Sequence, residues 1–233
     1  KNGVYISYLK HGIKHMEGVF KNNIKVGEWV EYYDTGEKFI LYNYGDINPF
    51  NVSETDFDVY VSFFHKNGNA SIEAYILKDN ELIFNGEYRS FFSSGVLKEK
   101  GRFIDGFKNG LWYEYYEDGN TLSFTNYIDG TGSYSSFYNT GETLLVGEYY
   151  NGGKNGLWTE YYINGMLKKE LNYLDGLIDI NKVIVEYRED GSKYADYYVK
   201  AFEGEIIKDG LFTTYHSSEN INTQGVLSNN LKE

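Results

Sequence analysis

Cysteine is absent from this 233-residue chain, and proline occurs once, at Pro49. Without cysteine there is no disulfide and no thiolate metal site, and the compartment stays open. A single proline suits a backbone that is almost continuously paired, because proline removes a ladder donor. No apolar run approaches the ~18–20 residues of a membrane-spanning helix. Basic residues are also scarce: 22 Lys and Arg against 34 Asp and Glu leave a net charge of −12 and a pI near 4.8. That balance argues against nucleic acid and anionic membrane surfaces and for a basic or neutral partner. No stretch keeps a 3.6-residue apolar period, so no helix is expected. Nucleophile elbows, glycine-rich phosphate loops and metal-ligand clusters are missing too, and no cofactor or catalytic residue is expected. The first residue is Lys1 rather than Met, which implies trimming or removal of a signal and favours an envelope or exported protein.

What the chain does have is repetition. Residues 86–131 and 132–177 align without a gap, with about 20 of 46 positions identical. Lys108-Asn-Gly-Leu-Trp-Tyr-Glu-Tyr-Tyr in one becomes Lys154-Asn-Gly-Leu-Trp-Thr-Glu-Tyr-Tyr in the other. Turn glycines recur at Gly12, Gly36, Gly68, Gly95, Gly119, Gly141, Gly165 and Gly191, most often 24 residues apart, and Glu219 takes the ninth place. An aromatic lies four residues before each of these turns, from Tyr8 to Tyr215. The copies alternate: Trp29/Glu31, Trp112/Glu114 and Trp158/Glu160 interleave with Tyr5/Ser7, Tyr88/Ser90 and Tyr134/Ser136. Residues two apart on a strand share a face, so both kinds of pair are expected on one sheet face.

Aromatic-rich runs joined by Gly and Asx turns predict hairpins. The expected fold is all-β: one elongated antiparallel meander of about nine stacked hairpins in a single-layer twisted sheet. The repeats are placed at about 3–26, 27–45, 59–85, 86–109, 110–131, 132–155, 156–177, 182–209 and 210–233 of one domain, 1–233, with an irregular loop at 45–58. The Lys-x-Gly stretches at Lys25, Lys108, Lys154 and Lys208 are read as the turns joining successive hairpins. Gly18, Gly101 and Gly147 are read as bulges or close backbone approaches where the ribbon bends.

Single residues offer little chemistry. His11 and His15 flank a turn but lack the further ligands zinc requires. Glu114 and Glu160 sit in equivalent copies, and recurrence at repeat spacing is what packing predicts. The aromatic stripe is the better candidate for binding, with Trp29, Trp112, Trp158, Tyr115 and Tyr161 as contact residues. Open sheet edges invite self-association, so a homodimer through the edges is a further expectation.

At Gly110-Leu-Trp-Tyr-Glu-Tyr-Tyr-Glu-Asp-Gly and Gly156-Leu-Trp-Thr-Glu-Tyr-Tyr-Ile-Asn-Gly the sequence resembles MORN repeats, closed by Asn126-Tyr-Ile-Asp-Gly130 and Asn172-Tyr-Leu-Asp-Gly176. It is most similar to the bacterial variant of YwqK-type proteins, which carry a toxin–antitoxin system antitoxin label. The resemblance implies an antiparallel sheet of hairpins acting as a non-catalytic scaffold that binds a protein partner, in an antitoxin or immunity-like role. The rival expectation is a cell-wall module binding carbohydrate or choline, since Gly-x-Trp-Tyr-Tyr cores also build aromatic cages for quaternary ammonium.

Overall fold

A computed structural model describes residues 1–45, 58–77, 82–202, 205–228 and 231–232. The irregular loop expected at 45–58 lies, apart from its two ends, outside them. Among the described residues every regular element is a strand. The strands fall into two units, 1–120 and 121–233.

The first unit contains β1 (Gly3–Tyr8), β2 (Lys14–Lys21), β3 (Ile24–Tyr32), β4 (Lys38–Asn43), β5 (Asp58–Phe64), β6 (Ala70–Leu77), β7 (Phe84–Phe91), β8 (Leu97–Ile104) and β9 (Phe107–Tyr115), each antiparallel to the next. The second contains β10 (Thr121–Ile128), β11 (Thr131–Phe137), β12 (Thr143–Tyr150), β13 (Gly153–Tyr161), β14 (Leu167–Leu174), β15 (Leu177–Ile178), β16 (Ile184–Tyr187), β17 (Lys193–Phe202), β18 (Glu205–Tyr215), β19 (Ile221–Ser228) and β20 (Leu231–Lys232). It follows the same antiparallel rule, except that β14 pairs with β15 near its end and with β16 further back.

The eight turn glycines all have positive φ, from 81 to 100°. At the ninth turn Glu219 adopts the same left-handed conformation, φ 62°, and its N–H donates to the His216 carbonyl at 2.9 Å as the glycines do in theirs. A residue with a Cβ is strained there by about 1–2 kcal/mol. Glu219→Gly is therefore expected to raise stability by about 0.5–1 kcal/mol in denaturant titration, once the entropy of the added glycine is subtracted. A fall in stability would show that the strain is absent.

The structure corrects the reading of Lys-x-Gly as the connecting turn. Lys25–Gly27, Lys108–Gly110, Lys154–Gly156 and Lys208–Gly210 lie inside β3, β9, β13 and β18. Five described connections are two-residue turns with both φ positive: Asn22-Asn23, Asp105-Gly106, Asn151-Gly152, Asp129-Gly130 and Asp175-Gly176. This geometry matches the twist of paired strands. The Lys-x-Gly glycine serves a bulge instead. Lys100 faces Tyr113 and Arg102 faces Asn109, so Gly110, Leu111 and Trp112 occupy the length of the single residue Gly101. The positive φ of Gly110, 68°, turns the strand through that bulge.

One face of each unit carries a buried cross-strand row. In the first unit it runs through Tyr5 and Gly18 to Trp29, Tyr42, Val61, Ala74, Tyr88, Gly101 and Trp112. In the second, Tyr134, Gly147, Trp158 and Leu171 lead, and a cluster around Ile184, Tyr197 and Phe212 packs against Leu171 and Ile178. Within each unit the Trp/Glu and Tyr/Ser pairs share this face, as the alternation predicts: Tyr88 lies 5.5 Å from Trp112 and Tyr134 lies 5.3 Å from Trp158, ring to ring.

Candidate functional site

The three tryptophans are the most buried large side chains of the sheet, 1, 2 and 1% exposed at Trp29, Trp112 and Trp158. Each indole lies flat over a glycine of the neighbouring strand, Gly18, Gly101 or Gly147. A Cβ at any of the three would come closer than 3.0 Å to the indole. Each Nε1–H donates to a carbonyl ten residues earlier: Val19 at 3.1 Å, Arg102 at 3.1 Å and Glu148 at 3.2 Å. Two flanking rings complete the box, Tyr5 with Phe20, Tyr88 with Phe103, and Tyr134 with Tyr149. A lysine ammonium closes it, Lys25 at 4.6 Å, Lys108 at 4.1 Å and Lys154 at 4.2 Å from the indole centroid. Burial against the rings lowers the pKa of Lys154. Lys108 is also paired with Glu99. The indoles expected to contact a partner are thus enclosed by the chain's own groups.

Tyr115 and Tyr161 are half-buried at the ends of their strands. Tyr115 stacks on Tyr113 at 6.5 Å, and the Tyr161 carbonyl accepts from the Tyr138 hydroxyl at 2.8 Å. Tyr32, in the equivalent place on β3, donates its hydroxyl to Glu17, and burial together with that carboxylate pushes its pKa up to about 12. These tyrosines serve the sheet.

The other face of the first unit holds a feature that the sequence reading missed. Two adjacent cross-strand rows, Glu73–Arg89–Lys100–Tyr113 and Glu87–Arg102–Asn109, stand opposite Tyr88, Gly101 and Trp112. Apart from Glu73, they line a shallow groove of about 450 Å³, with Leu111 at its side. Arg102 pairs with Glu87 at 3.4 Å and Arg89 with Glu73 at 3.9 Å. Lys100 rests over the rings of Tyr113 and Tyr115, 5.1 and 5.7 Å away. The legible signal was departure from the repeat: the copy 46 residues on has Ser135, Val146 and Glu148 where this one has Arg89, Lys100 and Arg102.

Residues 84–105, 108–129 and 154–175 match the MORN repeat variant. The first and last of these stretches are the β7–β8 and β13–β14 hairpins. No curated protein matches the chain. Among solved structures, a chain from "Crystal Structure of TcdB2-TccC3-Cdc42" aligns with 96% of this chain and 13% of its own length, at 9% identity and a TM-score of 0.24. A chain from "Crystal Structure of TcdB2-TccC3-TEV" aligns with 91% of this chain and 13% of its own, at 9% identity and a TM-score of 0.25. This chain therefore spans about an eighth of those chains, and a likeness at that level carries no argument.

Proposed function

We propose that this chain, three stretches of which match the MORN repeat variant, is a non-catalytic scaffold that binds another protein across the outer face of its hairpins, in an antitoxin or immunity-like role. The observation that carries this reading is a recurring exposed leucine. The residue before the buried aromatic is Leu111, Leu157 and Leu211 in three copies, exposed by 52, 49 and 61%. Strand alternation turns each away from the packed face. Apolar side chains held outward at fixed register cost solubility and suit an interface.

The cell-wall alternative is less favoured for a chemical reason. A quaternary ammonium ligand needs an open aromatic cage. Here Lys25, Lys108 and Lys154 already occupy that position over the indoles.

Affinity capture with the folded protein, from the cells that make it, tests the reading. One protein retained in stoichiometric amount is the expected result. Robust turnover of a glycan or ester, lost on replacing a single carboxylate such as Glu114 or Glu160, would overturn it.

A further inference from the structure

We infer that the groove across β7, β8 and β9 is the seat for a carboxylate-bearing peptide segment of the partner, held by Arg89, Lys100 and Arg102. The inference rests on the scaffold reading and adds the chemistry of what is bound.

The three cations are not demanded by the fold. The β11–β12 hairpin places Ser135, Val146 and Glu148 at the same register positions, and β1–β2 places Ile6, Glu17 and Val19 there. Hairpins with such different residues keep the same pairing, so packing alone does not select arginine and lysine. Arg89, Lys100 and Arg102 outnumber the carboxylates beside them, Glu73 and Glu87, in a chain whose net charge is −12. The net charge predicts a basic or neutral partner, and this groove is where an acidic segment finds its complement.

The cations lie at the surface of the sheet. Arg89 and Arg102 are 42 and 47% exposed in their side chains, and their links to Glu73 and Glu87 are long surface pairs. Such pairs contribute about 0–1 kcal/mol. Lys100 is paired with no carboxylate among the described residues and lies against tyrosine rings instead. Arginine presents a planar fork that fits a carboxylate at two points. Leu111 and Tyr113 add apolar and aromatic surface beside the charges, which suits a peptide in which acidic and apolar side chains alternate. Glu73 and Glu87 interrupt the positive field, which disfavours a continuous polyanion such as nucleic acid.

The test is calorimetric titration of the full chain with a short peptide of alternating Glu and Leu, its Gln-for-Glu counterpart, and a single-stranded DNA of similar length. The variants are Lys100→Val and the triple exchange Arg89→Ser, Lys100→Val, Arg102→Glu. Each introduces residues that the equivalent hairpin already carries, and an unchanged melting temperature confirms folding. Wild type is expected to bind the Glu peptide at least about tenfold tighter than the Gln peptide, with the preference lost in the triple variant and reduced in Lys100→Val. Equal binding of the two peptides, an unchanged preference in the triple variant, or tighter binding of the DNA overturns the inference. Capture separates the two readings. A partner retained equally by wild type and triple variant leaves the scaffold standing without this groove, whereas capture of nothing removes the scaffold whatever the peptide does.

Discussion

Trp158→Ala is expected to cost about 3–5 kcal/mol in denaturant unfolding, the largest effect of any single truncation in its unit. The indole is 1% exposed, has Tyr134, Tyr149 and Tyr173 around it, and donates to the Glu148 carbonyl. Removing it opens a cavity over Gly147. The converse substitution, Gly147→Ala, is expected to cost about 1–3 kcal/mol by overpacking, because the new Cβ would meet the indole closer than 3.0 Å. The two are coupled. Trp158→Phe in the Gly147→Ala background should be less damaging than in wild type, since a smaller ring leaves room for the methyl group. The hairpin of β18 and β19 hints at this: Phe212 stands 3.0 Å from where a Cβ on Gly225 would lie, less crowded than the three tryptophan sites. Additive costs in that double-mutant cycle would show that the glycine and the indole do not depend on each other.

Alkaline unfolding is expected to be steep. Tyr32, Tyr42, Tyr44, Tyr60, Tyr88, Tyr173, Tyr187 and Tyr197 all have raised pKa values, with burial the leading cause in each. Glu17, Glu170 and Glu186 add to it by accepting from Tyr32, Tyr187 and Tyr197. The unfolded chain releases these protons near pH ~10 while the folded chain keeps them. Their contribution is therefore complete below pH ~10 and is lost as pH rises toward the folded values, about 12 for Tyr32. One retained proton gives a slope of ~1.4 kcal/mol per pH unit, so three retained protons give ~4 kcal/mol per pH unit. Lys154, whose pKa is lowered by burial, acts in the opposite sense but is a single group. A melting temperature that stays flat between about pH 9 and about pH 11.5 would contradict this picture of buried phenols.

The hairpins were legible because their turns need positive φ, and Gly95, Gly119 and Gly141 mark that need wherever it recurs. The shared face of Trp112 and Tyr88 followed from strand alternation. The partnership of Gly101 with Trp112 did not, because it depends on a bulge that sets three residues against one, and only the register shows that. Lys108-Asn-Gly110 was misplaced as a turn because Asn-Gly has turn composition, while the reversal occurs just upstream at Asp105-Gly106. The cationic groove escaped because recurrence was the guide. Arg89, Lys100 and Arg102 stand out only as departures from an otherwise repeated pattern.

The proposed division of labour within each unit, with a packed face for folding and an outer face for binding, is tested most directly by hydroxyl-radical footprinting of the protein alone and with its captured partner. Trp29, Trp112 and Trp158 should stay unreactive in both states, while Leu111, Leu157, Leu211 and Tyr113 should lose reactivity when the partner is bound. Tryptophans that react freely in the isolated protein and become protected in the complex, with the leucines unchanged, would place the binding surface on the aromatic face and contradict the assignment.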